Sequence, residues 1–329
     1  MTSPFKETAG QPTTGPNTAG GLNSPPDRDG TDKASAARSS NTPTPRAVLW
    51  GSLAMIASVL AFTILDTVNK ILVETYSAFF LSWSRTATQV ALMLLLAPLL
   101  GGTAMFRTKR PLLQVARGVM IAGVSICVTL SISHLPLTQT YVIGFLTPFL
   151  ATVLAAFVLK ERASVLQWVL ISLAFAGVLI ALRPGAPDAG WHLIYPLGFA
   201  VFNAVYFVLT RAGGQTDNAI AQLFYVGLFA MVTLSVSLPW HWEAPTWPHL
   251  GMIGFVGICG TLGHLLLITA FAYAPTAIVA PMVYFQIIWS SVIGYLVFDD
   301  VPLLTTWVGA VVIVACGVAL IRTQAQARR

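Results

Sequence analysis

Beyond Arg46 the chain is an almost continuous succession of apolar segments, each close to the roughly 20 residues a helix needs to cross a bilayer. They run at 48–72, 77–100, 112–134, 138–159, 165–182, 193–209, 219–238, 250–273, 276–298 and 303–321. Breakers separate them: Leu135-Pro136, Arg183-Pro184-Gly185, Gly213-Gly214, Ala274-Pro275 and Val301-Pro302. In lipid the backbone must satisfy its own hydrogen bonds, and long apolar runs without alternation mean helices, not a barrel. Composition agrees. Only 9% of the residues are charged against 56% hydrophobic, where soluble domains carry about 25% charged residues. The expectation is an all-α integral membrane protein of ten transmembrane helices, with the lipid bilayer as a partner.

Residues 1–46 are a different material, rich in Pro, Gly, Ser, Thr and Asn. They hold too little apolar surface to offset the entropy of ordering, so a disordered cytoplasmic tail is expected. The apolar run that follows is too long for the core of a signal peptide. The formal charge of +6 gathers at the tail and particular loops, which speaks for topology and against nucleic acid. With the N-terminus inside, cytoplasmic segments hold Arg38, Arg46, Arg107, Lys109, Arg110, Lys160, Arg162, Arg211, Arg322, Arg328 and Arg329, against Arg183 on the opposite side. This positive-inside pattern predicts an inner-membrane protein with both ends cytoplasmic. Trp191, Trp240, Trp242 and Trp247 would mark the outer interface. Cys127, Cys259 and Cys316 fall in apolar stretches without metal-ligand spacing and read as inert thiols.

An internal repeat organises the segments. A single offset pairs Pro136 with Pro275, Glu161 with Asp300, Trp168 with Trp307, Gly118 with Gly257 and Arg183 with Arg322. Two halves follow, 47–184 and 190–322, with a basic cytoplasmic tail at 323–329. Five spans per half force the second copy to enter the membrane upside down. Inverted repeats of this kind rock about a site near the midplane and give alternating access.

The sequence around these landmarks resembles a known family. In the first half the stretch is P-L-T-Q-T-Y-V-I-G-F-L-T-P-F-L…L-K-E-R, ending G-V-L-I-A-L-R-P-G. In the second it is A-P-M-V-Y-F-Q-I-I-W-S-S-V-I-G-Y-L-V-F-D-D-V-P, then W-V-G-A-V-V-I-V-A-C-G. In this order the motifs resemble the drug/metabolite transporter superfamily, in its EamA-type members. The opening L-D-T-V-N-K and the W-S-R around Arg85 look like the bacterial branch of S-adenosylmethionine and riboflavin carriers. The second half departs from the generic repeat, with Ile287 where the first has Pro148 and Asp300 in place of Glu161. The resemblance implies two inverted five-helix EamA repeats and a central cavity lined by spans 1, 3, 4, 6, 8 and 9.

Deep polar residues in those spans are the candidates for the site. Asp66, Asn69 and Lys70 lie within one turn of each other, and Arg85 lies at about the depth of Asp66 across the first hairpin. Asp66 thus has two basic candidates, and a clamp with Lys70 or Arg85 competes with substrate contact. Arg117 stands near the cytoplasmic cluster and reads as a headgroup contact. Pro148 and Pro281 each remove a mid-helix hydrogen bond and can kink the chain or free a carbonyl for a ligand. Tyr141, Tyr284, Gln286 and Trp289 offer an aromatic and amide lining, and Asn203, Tyr206 and His264 complete the set. For each aromatic, core packing is the competing role.

No histidine pair has metal spacing, and no phosphate loop or catalytic cluster is evident, so no cofactor and no enzyme activity are expected. The leading expectation is a secondary carrier of a small organic metabolite, riboflavin-, S-adenosylmethionine- or amino-acid-like, with an amino-acid or drug exporter as an alternative. A membrane-embedded enzyme or a channel is the alternative class, and homodimerisation remains open.

Overall fold

The computed structural model describes residues 44–99, 102–158, 164–182, 190–213, 217–274 and 276–327. The expected tail at 1–46 lies almost wholly outside these residues, as do Lys160, Glu161, Arg162, Arg183, Pro275, Arg328 and Arg329. Among the described residues all regular structure is helical. We label α1 Pro45–Leu72, α2 Ala78–Leu95, α3 Pro111–His134, α4 Leu137–Gly144, α5 Thr147–Val158, α6 Val165–Leu182, α7 Ile194–Gly213 and α8 Ala219–Ser235. After these come α9 Trp247–Tyr273, α10 Phe285–Phe298 and α11 Leu304–Ala327. Seven stretches among the described residues are long and apolar enough to cross a membrane, and Val165–Ala181 and Ala219–Ser235 are shorter apolar helices. The segment expected at 77–100 is the exception: α2 stops at Leu95 and carries Ser82, Ser84, Arg85, Thr86, Thr88 and Gln89 in about two turns.

Local chemistry sets the ends. Thr44 caps α1, accepting from the Ala47 amide with Pro45 in the first turn, and Ser77 caps α2 through the Phe79 and Phe80 amides. The fourth and ninth expected spans are broken rather than merely kinked. Between α4 and α5 the chain leaves the helix at Phe145 and Leu146, and Pro148 sits in the first turn of α5, where its missing N–H costs nothing. In the second half a short helix Thr276–Val279 passes through a 3-10 turn, Ala280–Tyr284, that holds Pro281 before α10 begins. Both breaks fall at matching places although their prolines do not.

The offset that joins Pro136 to Pro275 also joins the helix boundaries. His134 ends α3 as Tyr273 ends α9, Leu137 starts α4 as Thr276 starts its counterpart, and Val165 starts α6 as Leu304 starts α11. Packing follows the same pairing. The most extensive contacts of α1 are with α9, and those of α3 with α7; α3 lies on α8 as α9 lies on α2. Each half therefore packs largely against the other. Gly118 and Gly257 show why the duplicated glycine matters. A Cβ at Gly118 would collide with Phe229 and stand 2.9 Å from the Ala230 nitrogen in α8, and one at Gly257 would collide with Thr88 in α2. Helices α6 and α11 pack on each other, with the Gly309 Cβ position 2.5 Å from the Gly177 carbonyl oxygen.

Candidate substrate cavity

Between these helices lies a cavity of about 280 Å³. Its walls come from α1, α2, α3 and α4 of the first half and from α7, α8, α9 and α10 of the second. By the same offset α1, α2 and α3 correspond to α7, α8 and α9, while α4 and α10 are different parts of the two matching broken spans. The six-span lining implied by the family resemblance is corrected here by the addition of α2 and α8. The polar stretch that makes α2 too hydrophilic to cross lipid alone is the face it turns inward, with Arg85, Thr86 and Gln89 on the cavity wall.

Eight of the sequence candidates meet in this space: Asp66, Asn69, Arg85, Tyr141, Asn203, Tyr206, His264 and Gln286. Asp66 is buried, and its Oδ2 accepts a short hydrogen bond from the Tyr141 hydroxyl, joining α1 to α4. Arg85 donates through Nη2 to Ser125 Oγ of α3 at 3.0 Å. Asp66 and Arg85 are within electrostatic reach of each other but form no direct ion pair, so the expected Asp66–Arg85 clamp is absent from this geometry. His264 packs edge-on to Phe62, ring centres 4.9 Å apart. Apolar and aromatic side chains, Phe199, Phe207, Leu223 and Leu267 among them, make up most of the remaining wall.

Three candidates lie elsewhere. Lys70 does not pair with Asp66: its ammonium donates to Asp300 Oδ2 at 2.7 Å, reaches the Leu135 carbonyl at 3.5 Å and stands over the Phe298 ring at 4.5 Å. The reason is the end of α10, where Asp299 adopts a left-handed conformation with φ of 54°. The Asp300 amide then returns to the Gly294 carbonyl, and this left-handed helix end sets the Asp300 side chain against α1. Tyr284 points away from the cavity, edge-on to Phe145 and packed so closely on Gly317 of α11 that no Cβ would fit there. Trp289 packs against the cluster of Met55, Val59 and Ala270 between α1 and α9. Core packing is what the structure gives both aromatics.

Beyond Tyr206 on the cavity wall lies a different network, one that overturns the headgroup expectation for Arg117. Arg117 is only 4% exposed. Its guanidinium donates to Gln114 Oε1 at 3.0 Å, to Gln222 Oε1 at 2.9 Å and to the Tyr206 hydroxyl at 3.2 Å, and it lies over the Tyr206 ring. Just beyond, Asp217 in the turn before α8 accepts from Thr108 Oγ1 at 2.6 Å, the Lys109 amide at 2.9 Å and Gln114 Nε2 at 3.0 Å. Burial alone would raise the proton affinity of Asp217, but these three donors outweigh it and hold the carboxyl below the usual carboxylate range. Gln89, Gln114, Ser125 and Gln222 are uncharged, so little in the sequence sets them apart from other polar side chains. Their one signal is spacing: Arg85 with Gln89, and Ser125 with Thr129, are four apart and share a helix face. Among the described residues no group of three or more metal-ligating side chains converges.

Several known proteins share this sequence pattern. The chain is 29% identical over 229 residues to an S-adenosylmethionine uptake transporter of Rickettsia bellii, covering 69% of this chain and 78% of that one. It is 28% identical over 277 residues to a pseudopaline exporter of Pseudomonas aeruginosa, covering 83% and 95%. It is 27% identical over 278 residues to a riboflavin transporter of Vibrio cholerae, covering 81% and 91%. A crystal structure described only as that of a protein superposes with a TM-score of 0.55 at 17% identity, over 85% of this chain and 98% of its own, a likeness of fold. The profile of the EamA-like transporter family matches twice, at residues 49–183 and 190–323. With helices that span the bilayer and two such matches covering most of its length, this chain belongs to the EamA-like transporter family.

Proposed function

We propose that the protein is a secondary carrier that moves a small organic metabolite across the inner membrane by alternating access. The observation that carries this reading is the shared cavity: four helices of each half enclose one space that holds Asp66 and Arg85, with unlike networks at Lys70–Asp300 and at Arg117 nearby. Ten crossings in two inverted repeats, with both chain ends cytoplasmic, are part of the proposal. The basic residues near Arg107, Lys109 and Arg110 support that orientation. It puts Lys70–Asp300 on the outer side and Arg117–Asp217 on the inner side. The three relatives are named for chemically different cargoes, so kinship supports a metabolite and leaves its identity to the cavity.

Alternating access is tested without knowing the cargo. In a protein with Cys127, Cys259 and Cys316 replaced by serine, Asn203→Cys places one reporter thiol in the cavity. A membrane-impermeant thiol reagent should reach it from either face in sealed vesicles of defined orientation. Labelling from one face only, under every condition, would mean that the cavity never changes sides.

A further inference from the structure

Resting on that reading, we propose that the cargo carries an α-amino-carboxylate head group, with its ammonium received by Asp66 and its carboxylate by Arg85. Asp66 and Arg85 supply a carboxylate and a guanidinium to the described cavity wall, beside His264, Tyr141 and Tyr206. Opposite charges buried in one low-dielectric space ordinarily close on each other, because each left alone costs desolvation that the partner would offset. Here they do not close. Tyr141 holds one oxygen of Asp66, and Ser125 holds one terminal nitrogen of Arg85, each a neutral partner on a different helix. Asn69, about one turn further along α1, is a second neutral partner of the Asp66 carboxylate. Both charged side chains line the cavity, and the Nε of Arg85 is buried without a partner.

A ligand that bridges two charges held apart this way must itself carry both. A plain amine would compensate Asp66 and leave Arg85 unmet; a plain carboxylate would do the reverse. A neutral flat molecule would strip water from both and compensate neither. The rest of the wall suits what an amino acid bears beyond its head: Phe62, Phe199, Phe207, Leu223 and Leu267 form an apolar surface, with Gln89 and Gln286 as amide contacts. A volume of about 280 Å³ leaves space beyond the head group, so either a free amino acid or a larger conjugate of one can supply it. The charges thus separate two kinds of metabolite that the fold alone accepts.

Binding to the purified full-length protein tests this, read as thermal stabilisation and confirmed by calorimetry. L-Methionine and S-adenosylmethionine share the head group on small and large bodies, and whichever binds tighter identifies the source. 5′-Methylthioadenosine keeps the large body without the head, 3-(methylthio)propylamine lacks the carboxylate, and riboflavin lacks both charges. At least one head-bearing probe should bind about tenfold or more tighter than all three others. Arg85→Gln should weaken that probe by about tenfold and leave the amine's affinity unchanged, while Asp66→Asn weakens the probe and the amine alike. The comparison among probes uses the unsubstituted protein, so it stands even if a variant fails to fold. Equal affinity for 5′-methylthioadenosine or riboflavin, or no binding of either head-bearing probe, would overturn the assignment. The reporter at Asn203→Cys would still show whether the protein alternates, which keeps the failure of this assignment distinct from failure of the carrier reading.

Discussion

Lys70 stands one turn after Asp66, a spacing that favours a pair along the helix, yet its ammonium is taken by an acid 230 residues away. Spacing within a helix is legible in sequence; the reach of a left-handed helix end from the far half is not. The same limit applies to Tyr284 and Trp289, whose aromatic character was evident but whose facing was set by Gly317 and by the α1–α9 packing. Asp66, Asn69, Arg85 and Tyr141 stood out because polar groups deep in apolar helices are costly and must turn inward. In the proposed orientation the Lys70–Asp300 pair ties the two halves at the outer end, one turn above Asp66. Partly exposed, with side-chain accessibilities of 18% and 26%, it contributes on the order of 1 kcal/mol. Lys70→Gln should therefore raise labelling of the Asn203→Cys reporter from the outer face by roughly fivefold. Restoring the pair in reversed form, Lys70→Asp with Asp300→Lys, should bring the rate back. Unchanged labelling in Lys70→Gln would remove the pair from the outer closure.

At the scale of the elements, the duplicated landmarks were the most legible feature, because a glycine or proline that sets a helix boundary or a close approach recurs wherever that geometry recurs. Pro136, Gly118 and Trp168 fixed the offset that the helix ends obey. What the sequence concealed was the work of α2 and α8, which count as ordinary spans until the polar face of α2 is seen to turn inward. The turns beside them also form matching ties. Tyr76, before α2, meets His249 at the start of α9 at 2.9 Å, and Asp217, before α8, meets the start of α3. The second tie depends on charge. Because donors hold the folded Asp217 below the ordinary carboxylate range, its contribution to stability is fully present above the unfolded value of about 4 and is lost as pH falls through the lower folded value. In detergent, Asp217→Asn should melt below the unsubstituted protein at pH 7, with the gap constant above about pH 5 and shrinking in more acid solution. A gap that widens with acidification would reverse the sign and contradict the donor network.

For the whole molecule, the decisive feature is an interior shared by the two halves. A chain this poor in charge keeps its few deep ionisable groups where both halves can surround them, and α1 packing on α9 while α3 packs on α7 leaves neither half with a complete cavity of its own. Different networks flank the cavity, an ion pair just past Asn69 and an arginine, amide and tyrosine network at Tyr206. Unlike networks can open independently, which is what exchange of one site between two sides requires. The class of the protein and its duplicated plan were readable from the sequence because they depend on patterning along the chain. The occupants of the cavity were readable only in part, since they depend on which helices meet. Counterflow in proteoliposomes tests the central claim most directly, using the tightest-binding head-bearing probe. Unlabelled probe trapped inside should accelerate entry of labelled probe and drive its transient accumulation above equilibrium. Entry that is unaffected by trapped probe, in vesicles where the protein binds that probe, would contradict a carrier with one alternately exposed site.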